Sequence, residues 1–228
     1  MAKDDIVRKI YIEDDLSNFE DFFDLNWFKK LSRLVENTRI ERIVGNFGVS
    51  WWGIARAFIL PWLLVTGVSD VITETAPIRL AIPTTKVWNE YLKHNEFNVA
   101  LWKLSENVYC SIYFAYENLL VDTLKEILGT SIRVTHRDFN EKLRDVYGSE
   151  CAHRIWHQTL IYAARETRNS IVHNGGKATN DLLNVKPLPN YIQDDDVVIS
   201  ATVTRELSNN LKPLVYELVE KSLEKIET

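Results

Sequence analysis

The sequence predicts a mainly α fold, and three observations carry that expectation. Apolar residues recur at three- and four-residue spacing over long stretches, above all from Phe97 to Leu128. The 228 residues include only eight Gly and six Pro, so few points break a helix and long flexible linkers are not expected. The alternation that marks a half-buried strand appears in one short run, DDDVVISATV, from Asp194 to Val203. The expected architecture is a helical bundle over residues 96–228, preceded by a mostly helical region over residues 1–95. A short β insertion lies near residues 185–203.

Each element follows in order. SNFEDFFDLNWFKKLSRLVENTR is amphipathic, with Phe19, Phe22, Phe23, Leu25, Trp27, Phe28, Leu31 and Leu34 on one broad side and Ser17 and Glu20 as a capping box. Between Ile43 and Ser69 the only charge is Arg56. By length the segment could span a membrane. Gly45, Gly48, Gly53, Pro61 and a central arginine that costs about 2.5–3.5 kcal/mol to insert favour a helix buried in the protein or at a subunit contact. PIRLAIPTTKVW reads as extended, its prolines restricting it to an edge. Phe97–Leu128 reads as a central helix about 45 Å long, stopped by Gly129. Thr135 and Asp138 read as the cap of a helix lined by Phe139, Leu143, Val146 and Tyr147 and ended by Gly148. Ser149 opens a helix expected to run to about His173, and a last amphipathic helix begins near Thr204, with a kink or restart at Pro213.

A formal charge of -5 argues against a protein that coats nucleic acid by bulk charge. Ser131–Lys177 is locally basic, with eight Lys or Arg against five Asp or Glu, so an RNA contact is expected there. Cys110 and Cys151 have neither CxxC spacing nor a His-rich neighbourhood; two buried thiols in a reducing cytoplasm are expected, without disulfide or zinc. The charged start MAKDDIVRKIYIEDD lacks an apolar signal core, so the expected location is cytoplasmic.

The stretch RNSIVHNGG, Arg168–Gly176, needs more than a helix stop to account for it. Asn174-Gly175 closes a helix by left-handed conformations, and His173 suits the negative end of the helix dipole. Neither explains the Arg168-Asn169 pair. Arg165, Asn169 and His173 lie four apart on one face, with Tyr162 and Glu166 beside them. Arginine binds phosphate oxygens as a fork and histidine moves protons near neutral pH, so these types suit a phosphodiester.

Arg168-Asn169, three residues, then His173 resembles the RNxxxH signature of the HEPN superfamily, compact α-helical proteins that include endoribonucleases of phage defence and toxin–antitoxin systems. The helices carrying YFAYENLL and FNEKLRDVYG before the motif are similar as well, and the likeness spans residues 97–228. The resemblance implies a metal-independent endoribonuclease in antiviral defence or acting as a toxin. It implies that Arg168 and His173 are catalytic and that Asn169 orients the phosphate or the histidine. A ribose 2′-OH would attack the adjacent phosphate, leaving a 2′,3′-cyclic phosphate, with no cofactor and no metal. An antitoxin or defence-system partner is a further implication. Arg168 and His173 point about 140° apart on one helix, so a homodimer with a composite site is expected from the spacing and the resemblance together. In HEPN toxins modified by a nucleotidyltransferase antitoxin a tyrosine follows the histidine by two residues; here that residue is Gly175, which puts that mode of control in doubt.

Glu117 is the only charged side chain between Glu106 and Asp122; it could pair with Arg168 or Arg165 and position it, or simply face water, and Glu117 and Arg165 are the candidate supporting groups. His153 and His157 have the spacing of a metal pair but no Glu-rich partner helix, and a structural role is expected. Two other readings stand beside the nuclease: a non-catalytic module of the same type binding nucleotide, RNA or a protein partner, and a purely structural motif that caps a helix.

Overall fold

The computed structural model describes residues 25–66 and 94–226. The Ser17–Glu20 capping box, the three phenylalanines beside it and PIRLAIPTTKVW lie outside those residues. The chain is mainly α with one small antiparallel hairpin. The helices are α1 (Asn26–Leu34), α2 (Glu41–Thr66), α3 (Asn95–Leu128), α4 (Phe139–Tyr147), α5 (Ser149–Ala152), α6 (Thr159–His173), α7 (Asn180–Leu183) and α8 (Ala201–Ile226). The strands β1 (Ile192–Gln193) and β2 (Asp196–Val197) lie between α7 and α8.

Helix α3 is the axis of the molecule, with α2, α6 and α8 all packed against it. Val108, Tyr109, Ile112, Tyr113, Tyr116, Leu119, Leu120 and Leu124 are buried along it, as the three- and four-residue apolar spacing predicts. Gly129 ends it in the left-handed conformation, its N–H bonded to the Lys125 carbonyl. Val44, Phe47, Trp51, Ala55 and Phe58 of α2 are buried at the spacing of one helical face. The opposite face is not buried: Val49 is 72% and Trp52 46% exposed, and Arg56 stacks on Trp52 at 5.6 Å. Burial of this segment is therefore one-sided. No helix among the described residues is long and apolar enough to cross a membrane. Helix α1 is clamped on α2 where the Phe28 ring covers Gly48 so closely that a Cβ there would lie 1.8 Å from it.

Several boundaries differ from those the sequence predicts. Ser149–His173 is not one helix. After α5 the backbone makes a π-helical turn over His153–His157, and Gln158 is extended before α6 begins. The turn is held from outside: the Tyr116 hydroxyl donates to the Ile155 carbonyl at 2.5 Å, and Arg154 bonds both Glu150 and Glu217. Asp138 precedes α4 but makes no side-chain cap bond, because its carboxylate pairs with Lys142 one turn on, at 2.7 Å. Only Asp196–Val197 of the alternating run is a strand. Asp194 and Asp195 both have positive φ and form the two-residue turn of the hairpin. Ser200 then accepts the Val203 N–H on its side chain, so Ala201–Val203 is the first turn of α8. Helix α8 continues through Pro213, with Val215, Leu218 and Val219 beyond it buried in the core.

Candidate functional site

The motif occupies the second half of α6. Ile161, Ala164, Thr167, Ser170 and Ile171 bury one side of this helix, which leaves Arg168, Asn169 and His173 on the part not covered by the core. The helix stops at Asn174, whose N–H bonds the Ser170 carbonyl at 3.1 Å. Contrary to expectation Asn174 is not left-handed, at φ -123; Gly175 and Gly176 carry the positive φ values, 62 and 88. Gly176 donates its N–H to the Ser170 carbonyl at 3.1 Å, and its carbonyl accepts the Val197 N–H at 2.8 Å. The hairpin therefore braces the end of the motif.

Arg168 is half-buried and its guanidinium donates to Asn169 Oδ1 at 2.9 Å. Asn169 Nδ2 in turn donates to Glu166 Oε2 at 3.3 Å. Glu166 is buried, at 8% exposure, and its other carboxylate oxygen lies 3.5 Å from Arg165 Nε. Arg165 is committed elsewhere as well: its guanidinium packs over the rings of Trp156 at 5.0 Å and Tyr162 at 5.1 Å. The result is a relay from Glu166 through Asn169 to Arg168, steadied by Arg165. From the sequence Glu166 is expected only as a neighbour of the Arg165, Asn169 and His173 face. Its spacing of three residues before Asn169 was the available signal, since i and i+3 side chains meet on a helix.

His173 is exposed and makes no side-chain hydrogen bond or ion pair among the described residues. It does not join Arg168. Arg168 and Val172 line an open groove of about 790 Å³ between α2, α3 and α6, and His173 lies outside it. Within one chain the two residues of the motif thus face different surroundings, as their spacing predicts.

Glu117 forms no ion pair with Arg165 or Arg168 among the described residues; the Tyr113 hydroxyl donates to it at 3.3 Å. Burial raises its pKa, opposed by the Tyr113 hydrogen bond and by the charges of Arg168 and Arg165. Glu117 is a partly desolvated counter-charge near the arginines rather than their direct partner. Cys110, in the groove wall, has its pKa pushed up to about 12, first by burial, then by Glu106, against the pull of Arg168; it is held as a neutral thiol. His153 and His157 stack with ring centres 6.5 Å apart. Among the described residues no group of three or more His, Cys, Asp and Glu side chains is placed to hold a metal ion.

The α2 wall of the groove and the stripe of Asn107, Ser111, Phe114 and Asn118 on α3 were not anticipated. The stripe is legible as uncharged residues at four-, three- and four-residue steps, but the stronger apolar spacing along the same helix hides it. No family model matches the chain, and no curated protein or solved structure matches it either.

Proposed function

We propose that this chain is a HEPN-type endoribonuclease, built on a HEPN-like bundle and acting as a homodimer. It cleaves RNA by 2′-OH attack on the adjacent phosphate to leave a 2′,3′-cyclic phosphate, without a metal, in antiviral defence or as a toxin. The observation that carries the reading is the relay at the motif. Asn169 accepts from Arg168 while donating to the buried Glu166, which fixes the arginine beside an open groove with most of its donors unused. A guanidinium so held suits the charge that develops on a pentacoordinate phosphate. His173, exposed at the end of the same helix, suits proton transfer. The two face apart in one chain, which supports a site completed by a second copy that brings its own motif alongside.

The same divergence favours a second reading, in which Arg168 and Asn169 bind a phosphate without cutting it. One experiment separates the two. His173→Ala and Arg168→Ala are expected to fold as wild type and to lower RNA cleavage by about 10²–10⁴-fold. Exposed His173 contributes at most about 1 kcal/mol through the helix dipole, so lost activity cannot come from unfolding. Cleavage persists in EDTA, spares DNA and leaves cyclic phosphate ends. Oligonucleotide binding without cleavage by the purified dimer would move the assignment to the binding module.

A further inference from the structure

The groove beside Arg168 has a composition that neither the catalytic chemistry nor the packing of the helices requires. Its wall on α3 presents Asn107, Ser111, Phe114 and Asn118, all at least partly exposed. Asn107, Ser111 and Asn118 make no side-chain hydrogen bond among the described residues, so amide and hydroxyl groups are left to meet a ligand. Phe114 is 47% exposed in the same wall, a large aromatic face turned to solvent. Arg168 is the only charged residue of the lining among the described residues. On the α2 side stands Gly53, where an added Cβ would meet nothing within 4 Å.

We propose that the groove between α2, α3 and α6 is a binding subsite for the base of one unpaired ribonucleotide whose phosphate is held by Arg168. It rests on the reading of Arg168 as a phosphate-binding group. The charge pattern selects this occupant. A duplex is recognised through successive phosphates and 2′-hydroxyls over many base pairs, which needs a run of donors and cations. One arginine at the side of an otherwise uncharged groove matches a single phosphate. A base supplies what the remainder of the lining lacks: a flat face to stack on Phe114 and edge donors and acceptors for Ser111 and Asn118, one turn to either side of it. A volume of about 790 Å³ falls within the range of about 300–1,000 Å³ typical of small-ligand sites. The groove gives the site a preference for single-stranded RNA and for particular bases beside the cut.

Binding of labelled 2′-O-methyl oligonucleotides tests this without requiring cleavage, because they lack the attacking hydroxyl. Homopolymers of each base and a blunt duplex are titrated against the full chain. Wild type is expected to bind the single strands with affinities ranked by base, and the duplex more weakly. Phe114→Ala should weaken binding about fivefold or more, the scale of a lost stacking contact. Gly53→Leu should do so by filling the groove. It replaces a helical glycine by a better helix former in open space, so the fold is retained. Ser111→Ala with Asn118→Ala should change the ranking of the bases. Wild-type binding by Gly53→Leu and Phe114→Ala, equal binding of the duplex, or no binding by wild type would each overturn the subsite. Loss of binding in Arg168→Ala alone would leave the phosphate reading and remove the base subsite. Base-ranked binding that depends on the groove, without cleavage of natural RNA, would keep the subsite and remove the nuclease. If Gly53→Leu and Phe114→Ala split a dimer in sedimentation but bind oligonucleotide as wild type, a second copy covers the groove and the proposal fails.

Discussion

A carboxylate only accepts hydrogen bonds, and that restriction gives Glu166 control over its neighbour. Facing Glu166, Asn169 has one useful orientation, with Nδ2 toward the carboxylate and Oδ1 toward Arg168. A glutamine at 166 could donate as well as accept, and Asn169 could then turn its amide over and present a donor to a guanidinium that has only donors. Glu166→Gln is therefore expected to retain the fold yet lower cleavage about ten- to a hundredfold by freeing Arg168 from its set position. The check is a single-turnover rate beside a thermal melt. A rate equal to wild type would show that Arg168 is held without the relay. Glu166→Ala is the less informative change, since it opens a space beside a buried residue and mixes stability with position. Arg165 differs from Arg168 although both are arginines one turn apart. Two aromatic faces and a carboxylate already occupy Arg165, and a group so engaged braces a site better than it binds a ligand.

At the scale of elements, the motif helix works because of how it begins and ends. A π-helical turn and the extended Gln158 set the start of α6 independently of α5, and at the other end the chain turns through Gly175 and Gly176 onto the hairpin. Gly176 combines a φ of 88 with a close approach: a Cβ there would lie 3.3 Å from the Glu106 carboxylate, which is buried and bonded by Trp102 and by Lys103 at 2.6 Å. Gly176→Ala is expected to cost about 1–3 kcal/mol, read as a lower denaturation midpoint at unchanged denaturant slope. A change within error would show that the turn relaxes freely. These junctions also mark the limit of what the sequence reveals. The helix around Leu119, its stop at Gly129 and the divergence of Arg168 and His173 follow from periodicity and one glycine. The break before Gln158 does not, because its cause is long-range: the Tyr116 hydroxyl and Glu217 reach the turn from α3 and α8. The strand expected over Asp194–Val203 is present only at Asp196–Val197, because Ser200 caps a helix and local capping outweighs a weak alternation beyond it.

Over the whole molecule, the two regions that the sequence separates at residue 95 share one apolar core among the described residues. Leu31, Val44, Phe47, Trp51 and Phe58 belong to the same buried cluster as Ile112, Tyr116 and Leu218. Trp27 of α1 packs edge-on against Trp51 at 5.6 Å, and its carbonyl accepts the Tyr216 hydroxyl from α8. Helices α1 and α2 thus close the bundle on a side that α8 and α3 leave apolar. Fully burying a large apolar side chain is worth about 1.5–3 kcal/mol. Losing five such chains is comparable to the whole stability of an ordinary domain, about 5–15 kcal/mol. A chain starting at residue 96 would also lose the α2 wall of the groove beside Arg168. Residues 96–228 alone are therefore expected to lack a cooperative thermal transition and to bind a hydrophobic dye, whereas the full chain melts cooperatively. A sharp melt with a native near-ultraviolet spectrum from residues 96–228 would instead make the N-terminal helices an accessory to a self-sufficient bundle. The outcome bears on function, because α2 contributes one wall of the groove into which Arg168 opens.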